Sequence, residues 1–219
     1  MNILSIQKDR DIIARYGSVY GIDEVGRGPV AGPIVAGCVT IRQEFYDDPN
    51  RFVLDDPIIE KITDSKKVGK QFHKPLAKVI INKLAKDFTI ASFSAKEIDA
   101  FGIGKLNRLL PIKLVDQFMF KPGYVIVDKI QGFHSLNYHG QAVPFYCVPN
   151  ADHDYFCVSC ASIVAKAVRD TFMTDHPKAK LYRFNTNAGY GTKYHIDAIR
   201  EHGILDIHRR SFLKRFNLG

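Results

Sequence analysis

The sequence predicts a mixed α/β sheet with helices on its faces and a helical C-terminal part. Three observations predict this. Two apolar, β-branched runs, "SVYGIDEV" and "PIVAGCVTI", stand close together near the start, with only a Gly/Pro stretch between them. Strand-like and helix-like stretches then alternate. After "PFYCVP" the remaining segments have helical spacing. Strands that alternate with helices form a sheet covered by those helices.

Taken in order, the first two runs are expected to be neighbouring strands, since Gly and Pro punctuate the chain between them. Residues 42–66 are polar and proline-bearing and predict a loop with a variable insert. From 68 to 87, Phe72, Leu76, Val79, Ile80 and Leu84 recur at helical spacing with lysines between them. "FTIASFSA" predicts a third strand. Residues 104–120 predict a helix that Pro111 kinks or restarts. "YVIVD" and "PFYCVP" predict two more strands. "DYFCVSCASIVAKAVRDTFM" predicts a long helix whose small residues permit close packing, and "TKYHIDAIREHG" a further helix stopped by Gly203. The 219 residues suffice for one domain with a sizeable core, residues 1–219, with a small helical C-terminal segment from about 176.

Composition narrows the function. Thirty-one Lys and Arg against 23 Asp and Glu give a net charge of +8, which favours a polyanionic partner, most commonly nucleic acid. No run approaches the roughly 18 apolar residues of a membrane span, and the charged start "MNILSIQKDRDIIARYG" lacks a signal-peptide core. Cys38, Cys147, Cys157 and Cys160 read as free thiols of a cytoplasmic protein; "CVSC" has zinc-like spacing but no second pair to complete a site. "VGRG" lacks the full G-x-G-x-x-G spacing, which excludes a dinucleotide-binding fingerprint.

The chemistry rests on acids at strand ends. Asp23 and Glu24 close the first strand, Asp128 ends "YVIVD", and Asp152 stands just before the long helix. In α/β sheets such positions line the functional crevice. Carboxylates that converge there repel one another, and a hard divalent cation such as Mg²⁺ or Mn²⁺ relieves that repulsion. Each acid also has a plainer reading: Asp128 could close a turn, Asp152 or Asp154 could cap a helix, and Asp23 and Glu24 could be surface acids. Neighbours on a regular strand face opposite ways, so Asp23 and Glu24 can share a site only where the strand ends, bulges or lets Glu24 reach around.

These residues resemble a known family. "GIDEVGRGPVAGPIVAG" is similar to the opening signature of ribonuclease HII, the type 2 ribonucleases H. "DSKK" at 64–67, "YVIVD", "SCASIVAKAVRD", "AGYGTKYHIDAIREHG" and "IHRRSF" resemble its later blocks in the same order. The resemblance implies an RNase H-like fold, a metal-dependent endoribonuclease that cleaves the RNA strand of RNA/DNA hybrids, and incision at single ribonucleotides embedded in duplex DNA. It implies 5′-phosphate and 3′-hydroxyl products. Asp23, Glu24, Asp128 and Asp152 would hold two divalent ions, Mn²⁺ or Mg²⁺. Gly26, Arg27 and Gly28 would contact the sugar-phosphate at the ribonucleotide, Lys66 the substrate backbone, and Tyr190 the neighbouring deoxyribose. The chain departs from the family pattern with Lys129 after the third acid and Asn150-Ala151 before the fourth. The spacing to "ASIVAKAVRD" favours Asp152 over Asp154. The expected protein is monomeric and has no membrane partner. A catalytically impaired hybrid-binding protein is the alternative, and Lys129 and Asn150-Ala151 are its support.

Overall fold

The structure is a computed structural model and describes residues 2–63 and 68–218. Helix α1 (Ile3–Tyr16) is capped by the Asn2 side chain and ends at Gly17 in the left-handed region. Strands β1 (Val19–Val25) and β2 (Ile34–Ile41) follow, then α2 (Gln43–Asp47) and α3 (Pro49–Asp55). Helix α4 (His73–Val79) continues through a π turn into β3 (Ala85–Phe93). Helices α5 (Ala95–Phe101) and α6 (Ile103–Val115) lead to β4 (Tyr124–Asp128). A small hairpin, β5 (Asn137–Tyr138) and β6 (Gln141–Ala142), precedes β7 (Phe145–Val148). The rest is helical: α7 (Ala151–Asp154), α8 (Phe156–Thr174), α9 (Phe184–Asn187), α10 (Lys193–His202) and α11 (Arg210–Leu213).

The main sheet has the order β3-β2-β1-β4-β7. Strand β1 lies at its centre, antiparallel to β2 and parallel to β4, and β7 is parallel to β4. The mixed sheet flanked by helices, with a helical C-terminal part, is therefore the observed architecture. One face packs on α8, α4 and α1 through Val19, Val39, Ile126 and the small residues of α8. The other packs on α6 through Tyr20, Ile22, Val125, Val127 and Leu110. A third cluster joins Val30 and Ala31 to Tyr182, Phe184, Ile196, Ile199 and Leu213, so the C-terminal helices close over the loop that follows β1.

Helix α8 lies unusually close to the sheet. A Cβ at Gly21 would sit 2.3 Å from the backbone of Cys157 and Val158, and one at Gly37 would sit 2.9 Å from the Ala161 carbonyl. The Cys, Ser and Ala residues of "CVSCASIVAKA" keep the helix surface low enough for this contact, so sequence and register select each other.

Several expectations need correction. The loop expected over 42–66 contains α2, α3 and a 3-10 turn at Pro57–Lys61. Asp48 and the proline after it, which suggest a loop, instead cap and start α3. The helix expected to run to 87 stops at Leu84, and β3 begins at Ala85, pairing with β2 across a bulge near Thr40. Helix α6 continues through Pro111. Helices α1 and α5 were not expected, although Ser94 and Glu97 form a full capping box ahead of α5. Among the described residues no helix is long and apolar enough to cross a membrane, and all four cysteines are free thiols.

Candidate active site

The four acids converge at one edge of the sheet because three parallel strands end there. The β1–β4 pairing runs from Val19–Tyr124 to Ile22–Val127, so Asp23 and Asp128 are the next residues on adjacent strands. Asp128 pairs with Val148 at the end of β7. The chain then turns through Asn150, in the left-handed region at φ 59°, and enters α7, which carries Asp152. The Ala151 N–H donates to Asp128 Oδ1 at 3.0 Å, tying the start of α7 to the end of β4. Asn tolerates the left-handed conformation, so Asn150-Ala151 makes this turn without a glycine. Lys129 is exposed.

Strand alternation sends the paired acids apart. Asp23 is buried on the α8 side, where Ser162 hydrogen-bonds it. Glu24 lies on the α6 side, with Asn107 Nδ2 3.5 Å from its carboxylate. The Glu24 N–H donates to Asp23 Oδ1 at 2.7 Å, and Asp128 acts on both acids. The two carboxylates therefore lie on opposite faces of β1, near its end, and Asp128 on the neighbouring strand acts on both.

Burial and repulsion show in the protonation of these groups. Asp23 is held well above the usual carboxylate range, first by burial, then by Glu24, with Asp128 and Asp152 adding to it and Ser162 opposing. Burial and then Asp128 push Glu24 up to about 7, against Arg27 and Asn107. Such a cluster suits a hard cation, which would remove the cost of charging it. The acids are neighbours rather than a closed cage: among the described residues, no three His, Cys, Asp or Glu side chains are gathered tightly enough to grip an ion. Asp154 sits differently. It is half-buried, pairs with Lys8 at 3.0 Å, and is lowered first by the Lys8 hydrogen bond.

The glycine-rich turn stands beside the acids and faces Tyr190. A Cβ on Gly28 would lie 3.6 Å from Tyr190 Cε1; Arg27, Gly28 and Tyr190 are all exposed. Gly26 is different. It has φ 89° and is buried, and a Cβ there would lie 2.3 Å from Arg169 Nε. Glycine is required at 26 by the interior behind the turn and at 28 by nothing among the described residues. Lys66 lies outside the described residues.

Residues that the sequence did not single out hold this turn. Arg169, on α8, is 2% exposed and donates to the carbonyls of Ala31, Pro33 and Ala188. Arg209 is fully buried and donates to the carbonyls of Gly26, Arg27 and Gly32. Only the burial of Arg209 identifies its task, and no local pattern predicts that.

A central mixed sheet with acids at the ends of its parallel strands, flanked by helices, defines a nuclease of the ribonuclease H class. The comparisons agree. The family model for ribonuclease HII matches residues 20–215. Ribonuclease HII of Clostridium perfringens (strain ATCC 13124) is 41% identical over 202 residues, covering 91% of this chain and 68% of that protein. The crystal structure of ribonuclease H2 from Pyrococcus horikoshii OT3 superposes with a TM-score of 0.67 at 24% identity, covering 92% of this chain and all of that one. The crystal structure of Bst-RNase HIII in complex with Mn²⁺ superposes with a TM-score of 0.57 at 20% identity, covering 85% of this chain and 63% of that one. The chain belongs to the ribonuclease HII family and is a ribonuclease H, a phosphodiester hydrolase acting on RNA/DNA.

Proposed function

We propose that this ribonuclease H cleaves the RNA strand of RNA/DNA hybrids and also incises at single ribonucleotides embedded in duplex DNA, leaving 5′-phosphate and 3′-hydroxyl ends. The observation that carries the reading is Asp23, buried within reach of Glu24, Asp128 and Asp152 beside an exposed Gly-Arg-Gly turn. The all-oxygen donor set fits two divalent ions, Mn²⁺ or Mg²⁺, with Asp23, Glu24, Asp128 and Asp152 as the holding residues. A Mn²⁺ complex of the structural neighbour Bst-RNase HIII is consistent with that. When bound, such ions supply a nucleophilic water at neutral pH and stabilise the leaving oxygen of an in-line displacement.

The chain's own groups do the rest. Asp152 rather than Asp154 completes the set, because Asp152 is buried beside the others while Asp154 is engaged at the surface by Lys8. Arg27 holds a phosphate by charge-assisted hydrogen bonds. The carbonyls of Gly26 and Arg27 are taken by Arg209, which leaves the turn's N–H groups to meet the ribose, and Gly28 offers no Cβ to obstruct its approach. The 2′-hydroxyl is the group that separates RNA from DNA there. Tyr190, across from Gly28, packs on the following deoxyribose, and Lys66 meets the substrate backbone. The basic surface draws the duplex in, as a monomer with no membrane involved.

The test is cleavage of a duplex carrying one ribonucleotide and of an all-RNA strand paired with DNA. Both are expected to be cut in Mn²⁺ or Mg²⁺ and spared in EDTA. Tyr190→Ala is expected to lose roughly 1–3 kcal/mol, mostly on the single-ribonucleotide duplex. Equal loss on both substrates would remove Tyr190 from sensing the junction.

A further inference from the structure

Two consecutive residues near the C-terminus reach both halves of the proposed ribose-reading surface. Residues 207–209 run beside residues 30–32: Gly32 N–H donates to the Ile207 carbonyl and Arg209 N–H to the Val30 carbonyl, with Ala31 and His208 forming an antiparallel bridge. From this position Arg209 spreads its guanidinium over Gly26, Arg27 and Gly32. Nε donates to Gly32 at 2.9 Å, Nη1 to Arg27 at 3.1 Å and Nη2 to Gly26 at 2.6 Å. Only a planar fork with several fixed donors can span three carbonyls in this way.

His208 reaches the other half through a chain of buried imidazoles. The Leu205 N–H donates to His208 Nδ1 at 2.7 Å, so that nitrogen carries no proton. His208 Nε2 therefore holds the ring hydrogen and donates to His195 Nε2 at 3.0 Å. His195 in turn has its hydrogen on Nδ1 and donates to the Tyr190 carbonyl at 2.8 Å. The hydrogen-bond geometry fixes both tautomers, and both rings are neutral. His195 is fully buried and His208 is 2% exposed, so neither meets substrate.

We propose that His195, His208 and Arg209 are positioning residues for ribose recognition: the C-terminal segment fixes the Gly-Arg-Gly turn and Tyr190 against each other without touching the nucleic acid. The inference rests on the reading that the turn and Tyr190 contact the sugar. The Gly26 and Arg27 carbonyls of the turn are held inward by Arg209, while the imidazole chain sets the height of the Tyr190 backbone opposite Gly28. Selection of a ribonucleotide then depends on a distance set by buried residues that are not among the four acids.

The test uses His195, where two substitutions preserve different halves of the chain. Asn places a donor where Nδ1 was, so His195→Asn keeps the bond to Tyr190 and leaves His208 unpartnered. Gln places its amide where Nε2 was, so His195→Gln keeps His208 partnered and releases Tyr190. Both lose stability. His195→Gln, which releases Tyr190 outright, is expected to lose more selectivity than His195→Asn, which only loosens the anchor behind it: in His195→Gln the ratio of kcat/KM on the lone-ribonucleotide duplex to that on the hybrid should fall about tenfold, in kcat rather than KM, a scale set by small misplacements of a substrate-positioning group. Arg209→Lys, checked for folding by circular dichroism, should lower the ratio as well. Equal loss of selectivity in His195→Asn and His195→Gln would overturn the inference and leave the imidazoles a purely structural role. So would wild-type selectivity in His195→Gln beside lost selectivity in Tyr190→Ala, and there the sugar-contact reading would survive. Unchanged selectivity in Tyr190→Ala itself would remove both.

Discussion

Asp9 and Asp23 are both buried aspartates on the same side of the sheet, yet their surroundings differ in kind. Asp9, on α1, accepts from Tyr46 Oη at 2.8 Å, from the Cys157 N–H at 2.8 Å and from Cys157 Sγ. It serves as a cap in trans for the start of α8, whose own N-cap residue, Tyr155, supplies no side-chain bond. Asp23 has Ser162 and the Glu24 N–H, and three other carboxylates. Burial raises both acids. Around Asp9 the remaining influences are hydrogen bonds that favour its charge; around Asp23 they are mostly like charges that oppose it. Burial alone therefore does not mark a functional acid. The neighbours do: donors make Asp9 a structural fixture, and repelling acids make Asp23 a place for a cation.

The sharpest way to break this comparison is to neutralise the repelling cluster. Asp128→Asn is expected to cut cleavage by about 10²- to 10³-fold or more at saturating Mg²⁺, the scale of removing one electrostatic contact to a transition state. The same variant, without metal, should melt at or above the wild-type temperature, because one source of repulsion on Asp23 and Glu24 is gone. Near-normal turnover would show that Asp128 holds no ion. A second test separates the two acids of α7. Asp152→Asn should approach the loss seen for Asp128→Asn. Asp154→Asn should leave cleavage intact and cost less than about 1 kcal/mol of stability, since it disturbs only surface pairings with Lys8 and His153. The reverse order would place Asp154 in the site.

Asp9 offers a smaller effect with a definite sign. Its carboxyl is pushed up to about 7 by burial, from an ordinary 3.8. Between those values the folded state binds the extra proton, so stability falls as pH rises through this window and levels off above about 7. Asp9→Asn keeps an acceptor and cannot ionise. It should melt above wild type at pH 8, by no more than about 4 kcal/mol of stability, and the gain should vanish near pH 4. A gain that is independent of pH would mean that Asp9 titrates alike in the folded and unfolded states. The imidazole chain predicts the smallest trend, of opposite direction. His208 is lowered to about 4, first by burial and then by His195. Its contribution is complete above the ordinary histidine range and is lost as pH falls from about 6.5 to about 4. Thermal melts over that interval should show a decline that His208→Asn flattens.

The strand ends and their acids were legible because period-2 runs and terminal carboxylates are local patterns. Asp23, Glu24, Asp128 and Asp152 stand in the sequence as they stand in the fold, but β1 runs on regularly through Val25, so Asp23 and Glu24 keep opposite faces of the strand rather than meeting at a strand end or bulge. Boundaries set by pairing were less legible. Nothing in "LAKDFTI" shows that β3 starts at Ala85, since its partner on β2 decides that. Least legible were Arg169 and Arg209. Arg209 lies 177 residues from the Gly32 carbonyl it serves, and an arginine in "IHRRSF" resembles a surface charge until the third core cluster closes over it. The signal for α5 was present in "SAKE", whose capping box needs only local spacing.

The near-contact of α8 with Gly21 and Gly37 has a consequence for how this chain can vary. A side chain at either position would meet helix backbone, which cannot rotate aside as a flexible neighbour can. A library of random substitutions should therefore show two silent glycine columns inside the sheet, as intolerant of replacement as the acids although neither touches substrate. Gly17, Gly102 and Gly203 have open space where a Cβ would go, so only backbone conformation restricts them: Asn should survive at Gly17, which is left-handed, but not at Gly102 or Gly203, whose ψ of 139° and 179° lie outside the region Asn tolerates. Drift at Gly17, just before β1, and strict inheritance at Gly21, within it, would then sit only a few residues apart along the chain.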